Sequence, residues 1–211
     1  ETDQNLNITC FAFSFGLPDV YVVPCIDYDY SWSYGKLPNI LRALAVAIRD
    51  NTLTAHNGAT FDFFVLGHKY RIPVGKSLYD TMLAQHRCFS EVEKSLGHCT
   101  SLWTYQPFHK DEMSGWYDRD SVNKTLQYCG KDVYTMILIH QAITAYAKTQ
   151  PGLTESIEQA MKSIRPYLIT TLQGIKVIPE ERQEMFKEND RLLLQYNRMI
   201  YMLIGPTATK E

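Results

Sequence analysis

Two carboxylates in this chain stand where a carboxylate can do chemistry. Asp62 lies in AHNGATFDFFVL (55–66), directly ahead of an apolar run, and Asp132 ends the stretch YCGKD, four positions after Tyr128. Residues four apart on a helix project from one face, a turn apart, so the Tyr128 phenol and the Asp132 carboxylate are expected side by side. Asp62 is expected in the first turn of another helix, where unpaired backbone N–H groups favour an ionised acid. Ionised carboxylates are what a hard divalent cation needs. A pair of Mg²⁺ (or Mn²⁺) ions, held by a few carboxylates, waters and phosphate oxygens, activates a water and stabilises the leaving oxygen in phosphodiester hydrolysis. Tyr128 would then hydrogen-bond the attacking water and aim it. Glu1 supplies a further acid ahead of the first apolar stretch.

Singly, each piece has a plain structural reading. An Asp in a first helical turn is commonly a terminal charge, and Tyr-x-x-x-Asp is commonly a solvated helix face. The weight comes from their occurring together and in order.

The elements that must position these residues follow from periodicity. NITCFAFSF (7–15) and VYVVPCI (20–26) read as a hairpin across GLPD. PNILRALAVAIRD carries helical spacing with proline near its start. NTLTAH (51–56) reads as a strand, residues 60–70 as a helix, SLYD (77–80) as a strand and TMLAQHRCF as a helix. The order β-β-α-β-α-β-α predicts an α/β fold, a mixed sheet flanked by helices. Residues 99–120 read as a loop-rich excursion. Helical spacing resumes over 120–149, with Val133, Met136, Ile137, His140, Ile143 and Ala147 on one stripe. Gln150-Pro151-Gly152 is the clearest break. Beyond it come a helical stretch over 153–173 that Pro166 should divide, an extended GIKVIP turn, and a long amphipathic helix over 179–204 ended by Gly205-Pro206. Met185, Leu192, Tyr196, Met199 and Leu203 share one face of that last helix. The expected division is therefore 1–150 and a helical extension, 151–211, whose apolar stripes should pack on something further.

The bulk properties narrow the function. The 211 residues are 45% hydrophobic and 21% charged, with a net charge of −2, so nucleic acid cannot be held by a broad basic face and must meet a local site. No apolar run is long enough to span a membrane, and the start lacks the pattern of a signal peptide. The five cysteines are scattered without a C-x-x-C pair, which argues against a disulfide framework or zinc site and for a reducing, cytoplasmic setting.

The order of the motifs carries a resemblance. Asn57-x-x-x-Phe61-Asp62 resembles the second motif, and Tyr128-x-x-x-Asp132 the third, of the DEDDy group of 3′→5′ exonucleases. Glu1-Thr2 resembles the end of the first motif, Asp-x-Glu-Thr; an Asp two positions ahead of Glu1 in the parent protein would complete the site, and without one activity would be strongly reduced or absent. LYDTMLAQH (78–86) and the tail IRPYLITTLQGIKVIPEERQEMF (164–186) are similar to segments of family A DNA polymerases of the bacterial polymerase I and bacteriophage type. The resemblance implies an RNase H-like fold over 1–150, followed by the start of a polymerase thumb without palm or fingers.

It also implies a proofreading 3′→5′ exonuclease of single-stranded or mismatched DNA, with two divalent ions, a DNA 3′ end and a polymerase domain of the same parent chain as partners, in a bacterial or phage-infected cytoplasm. Carried over residue by residue, Glu1, Asp62 and Asp132 become metal ligands and Tyr128 orients the water. Thr2, Asn57 and Phe61 would meet the DNA, and Asp80 would support the site structurally. An RNA-trimming exonuclease of the same chemistry, and an inactive scaffold or primer-end binding module, are the alternatives.

Among the remaining residues, Tyr105 and Lys110 lie in an aromatic-rich stretch with Trp103, Phe108 and Trp116, suited to stacking on single-stranded bases and meeting a phosphate, or to a small satellite core. His56 reads as a packed strand-end histidine and His140 as a core residue. His68, His86, His98 and His109 show no metal-ligand spacing.

Overall fold

The structure, a computed structural model, describes residues 8–25, 37–75, 77–109 and 119–204. The readings placed on Glu1, Thr2, Lys110, Trp116 and Gly205-Pro206 lie outside the described residues.

The chain is mixed α/β and falls into two compact units, Glu1–Leu172 and Gln173–Glu211. The first unit opens with an antiparallel hairpin of β1 (Cys10–Gly16) and β2 (Asp19–Pro24), paired Cys10 to Pro24 and Phe13 to Tyr21. Aromatic residues on the pleat stack across it, Phe13 on Tyr21 with ring centroids 5.5 Å apart. Helix α1 (Leu37–Asp50) leads into β3 (Thr52–Ala55), then α2 (Asp62–His68) and β4 (Ser77–Asp80). Strands β3 and β4 pair in parallel, Ala55 opposite Asp80, as a β-α-β unit requires.

In place of one mixed sheet, the described residues form two separate two-stranded ladders, one antiparallel and one parallel. Just ahead of β1, the Ile8 N–H is taken by the Tyr70 hydroxyl at 3.1 Å rather than by a strand.

Helices α3 (Thr81–Cys88) and α4 (Leu96–Trp103) follow, then the 31-residue α5 (Arg119–Thr149). Helix α4 corrects the reading of 99–120 as loop from its start. Ser95 caps it by accepting the His98 N–H, and Leu96, Cys99 and Trp103 recur at helical spacing to enter the core. The cap and the short apolar repeat were both in the sequence, hidden by the aromatic and polar residues that follow.

The stripe expected on α5 is shifted as well. Val122, Thr135, Ile139, Ile143 and Ala147 are buried, while Val133, Met136, Ile137 and His140 flank them half-buried. The cause is double coverage: α5 meets the β1–β2 hairpin and also α3, α4 and α6 (Leu153–Lys162). Against the hairpin the approach is close, because a Cβ at Gly130 would stand 3.1 Å from Val22 Cγ2.

The chain divides again where Pro166 predicts. Helix α6 ends at Lys162, and α7 (Ile164–Gln173) begins two positions before the proline, placing it in the first turn where no backbone N–H is needed. Both helices pack within the first compact unit, which runs to Leu172. Burial decides it. Ile157 joins Ala84, Cys99, Ile139, Ile143 and Ala147 in one cluster, and Ile164 and Leu168 join Phe63 and Leu78 in a second. Each Ile, Leu or Phe removed from water in these clusters stabilises by about 1.5–3 kcal/mol.

The second unit contains α8 (Pro179–Ile204), reached through residues 174–178 with Gly174 at a positive φ. Met185, Tyr196, Met199 and Leu203 on its apolar face are exposed and Leu192 is half-buried, so α8 has no core of its own.

Candidate functional site

The site forms at the carboxyl ends of β3 and β4, the end of a parallel pair where α/β proteins bind ligands. After β3 the chain turns through residues 56–61. Asn57 holds a left-handed conformation (φ 61°), which an Asn tolerates well. Its carbonyl accepts the Thr60 and Phe61 N–H groups at 3.3 Å, and its side chain meets the Thr60 hydroxyl. Asn57 therefore shapes the loop. Gly58 is buried where a Cβ would lie 2.6 Å from Ala55 Cβ and 2.8 Å from Phe63 Cζ, so only glycine fits.

Asp80 clamps this loop from the neighbouring strand. Its side chain is buried and accepts the Asn57 N–H at 3.0 Å and the Ala59 N–H at 3.3 Å. It also caps α3, taking the N–H groups of Met82 at 2.9 Å and Leu83 at 3.4 Å. One carboxylate thus joins the end of β4, the start of α3 and the loop before Asp62. That is the supporting role expected for Asp80.

His56 is likewise structural, with Nδ1 at 2.9 Å from the Thr81 hydroxyl and Nε2 at 2.9 Å from the Lys94 carbonyl. His140 packs edge-on against Tyr79, with centroids 4.5 Å apart, and burial lowers its pKa.

Asp62 opens α2, as the sequence predicts, with one side open to solvent. Its carboxyl is harder to ionise than that position alone suggests. Burial by the surrounding protein pushes its carboxyl up to about 6; backbone hydrogen bonding partly offsets this, and the charges of Asp80 and Asp132 raise it further. The helix-start effect is outweighed because α2 has only seven residues and the desolvation acts on the acid directly.

Tyr128 and Asp132 sit a turn apart on α5, and the electrostatic coupling of Asp62 to Asp132 shows that α2 and α5 bring their acids into one neighbourhood. A divalent cation between them would relieve the repulsion that the Asp132 charge adds at Asp62. Among the described residues no group of three or more His, Cys, Asp and Glu side chains forms a metal cluster.

The residue that sequence spacing missed is His109. Its Nε2 lies 2.8 Å from Asp132 Oδ1, and its ring stands edge-on to Tyr128 with centroids 5.5 Å apart. No local pattern announces it, because it lies 23 positions from Asp132.

Cys129, beside Tyr128, hydrogen-bonds Cys10 of β1 and thereby ties the hairpin to α5; the contact lowers the Cys10 pKa and raises that of Cys129. All five cysteines are free thiols.

The aromatic residues expected at DNA are outward. Phe61 and Phe108 are more than half exposed and Tyr105 is fully exposed. Trp103 is not among them, since it packs with Phe89 and Tyr146 and donates its indole N–H to Gln85.

No protein-family model and no curated protein matches the chain. Among the described residues no helix is long and apolar enough to cross a membrane.

Proposed function

We propose that this chain is a metal-dependent 3′→5′ exonuclease that removes nucleoside monophosphates from the 3′ end of single-stranded or mismatched DNA. The observation that carries the reading is that Asp62, at the start of α2, lies within reach of the Asp132 charge on α5, with Tyr128 one turn from Asp132. Asp62 and Asp132, with Glu1, would hold two Mg²⁺ or Mn²⁺ ions. When bound, such ions supply the charge that activates a water and stabilises the leaving oxygen of a phosphodiester.

The chain's own groups do the rest. Asp80 and Gly58 fix the loop that delivers Asp62. The Tyr128 hydroxyl would hydrogen-bond the attacking water and orient it. Thr2, Asn57 and Phe61 would meet the terminal nucleotide, while exposed Tyr105, with Lys110, would stack on a base and neutralise a phosphate. Local contacts of this kind suit a chain of net charge −2.

The proposed setting is an RNase H-like domain ahead of a family A polymerase thumb, in a bacterial or phage-infected cytoplasm. The exposed apolar face of α8 supports it as a surface for the rest of a polymerase domain.

The test is degradation of 3′-labelled single-stranded DNA with Mg²⁺ or Mn²⁺ by the wild type, Asp62→Ala and Asp132→Ala. Loss in both variants is expected, and equal degradation by all three overturns the reading. A parallel RNA substrate separates DNA proofreading from RNA trimming.

A further inference from the structure

His109 enters the site from the extended segment that follows α4. Within residues 104–109 it alone is buried, while Tyr105 and Phe108 face outward. The segment starts from a fixed point: the Thr104 hydroxyl donates to the Thr100 carbonyl at 2.8 Å and accepts the Gln106 N–H at 3.1 Å. A buried polar ring needs a partner, and His109 finds it in Asp132, 2.8 Å from Nε2, with its side chain only 5% exposed. The same ring packs against Tyr128. One side chain therefore touches both residues that α5 contributes to the site.

We propose that His109 is a positioning residue that holds the Asp132 carboxylate and the Tyr128 phenol in register for hydrolysis. An ionised carboxylate only accepts, so Nε2 carries the hydrogen and donates it to Oδ1. A carboxylate has about four acceptor positions, so a hydrogen bond from His109 orients it without by itself excluding a cation. Carboxylates that ligate metals are themselves hydrogen-bonded in this way, and losing such a partner weakens metal affinity by about 10–100-fold. The ring edge meanwhile limits the rotation of Tyr128 about its side-chain bonds, which sets where its hydroxyl points. The inference rests on the exonuclease reading and adds to it the residue that orients the third motif.

Two substitutions separate the ring's packing from its hydrogen bond. His109→Phe keeps an aromatic ring beside Tyr128 and removes the donor to Asp132. His109→Gln keeps a donor and removes the ring. Mn²⁺ binding is measured by calorimetry for the wild type and both variants, alongside thermal unfolding and single-stranded DNA degradation over a range of Mn²⁺ concentrations.

His109→Phe is expected to unfold at the wild-type temperature, to bind Mn²⁺ about 10–100-fold more weakly, and to recover its turnover at high Mn²⁺ with an unchanged KM for DNA. His109→Gln should retain more of the Mn²⁺ affinity than His109→Phe. Wild-type Mn²⁺ affinity in His109→Phe, while the wild type binds Mn²⁺ and cleaves, overturns this inference alone. Equal losses in both variants accompanied by a lowered unfolding temperature overturn it in favour of a packing role. A wild type that binds no divalent ion overturns the exonuclease reading and this inference with it.

Discussion

Asp80 Oδ1 accepts the Asn57 N–H at 3.0 Å across the carboxyl ends of two parallel strands. Since the same side chain caps α3, the loop that carries Asp62 and the helix after β4 share one buried acceptor. Replacing it tests whether the site depends on a residue that need not touch a metal. Asp80→Asn exchanges one acceptor oxygen for a donor that faces N–H groups, and should cost about 1–3 kcal/mol in urea unfolding. Hydrogen exchange at residues 57–60 should accelerate more than exchange in α5.

Gly58 is the second support of that loop. A methyl group there would overlap Ala55 and Phe63, so Gly58→Ala should destabilise by about 1–3 kcal/mol. Adding Phe63→Leu relieves the closer ring atoms. Urea unfolding of the double variant should show a smaller combined loss than the sum of the single variants, since the two positions are in contact.

Asp62 links the site to pH. Its folded pKa of about 6 lies above the ordinary 3.8, so the folded chain binds a proton more tightly than the unfolded chain between those values. Its contribution to stability is therefore present at low pH and is lost as pH rises through about 6. Without divalent ions, Asp62→Asn should be more stable than wild type at pH 7.5, by about 1 kcal/mol because the open side of the group is screened by solvent. The difference should shrink towards pH 4. Urea unfolding at several pH values measures it, and added Mg²⁺ should stabilise the wild type more than the variant.

The boundary of the first unit predicts a contrast between helices. Ile164 is almost fully buried in α7, so Ile164→Ala should cost about 2–5 kcal/mol. Met202 in α8 is 84% exposed, and Met202→Ala should change stability by no more than about 0.5 kcal/mol. Thermal unfolding of the two variants checks the assignment of α7 to the first core.

Much of this molecule was written locally. Alternating β-branched and aromatic residues placed the hairpin, and helical spacing placed α1, α3, α5 and α8 to within a few residues. Pro166 divided the helix near where it should, because a ring without an N–H is accommodated in a first turn and not beyond it. Tyr128 and Asp132 share a face of α5 for the same local reason, the helical repeat.

Other features depended on which elements meet. The line of burial on α5 shifted to Thr135, Ile139, Ile143 and Ala147 because the helix is covered on two sides, and periodicity describes one-sided burial best. The first unit continues to Leu172 because Ile164 and Leu168 fill a cluster with Phe63 and Leu78, partners about a hundred residues away in the chain. Helix position alone pointed to an ionised Asp62, whereas burial and the approach of Asp80 and Asp132 raise its pKa. His109 reaches Asp132 only through the path of the chain after α4. Composition and spacing thus determined which residue types could carry chemistry, while tertiary packing decided their neighbours, since desolvation and hydrogen bonding act through distances in space that sequence separation does not encode.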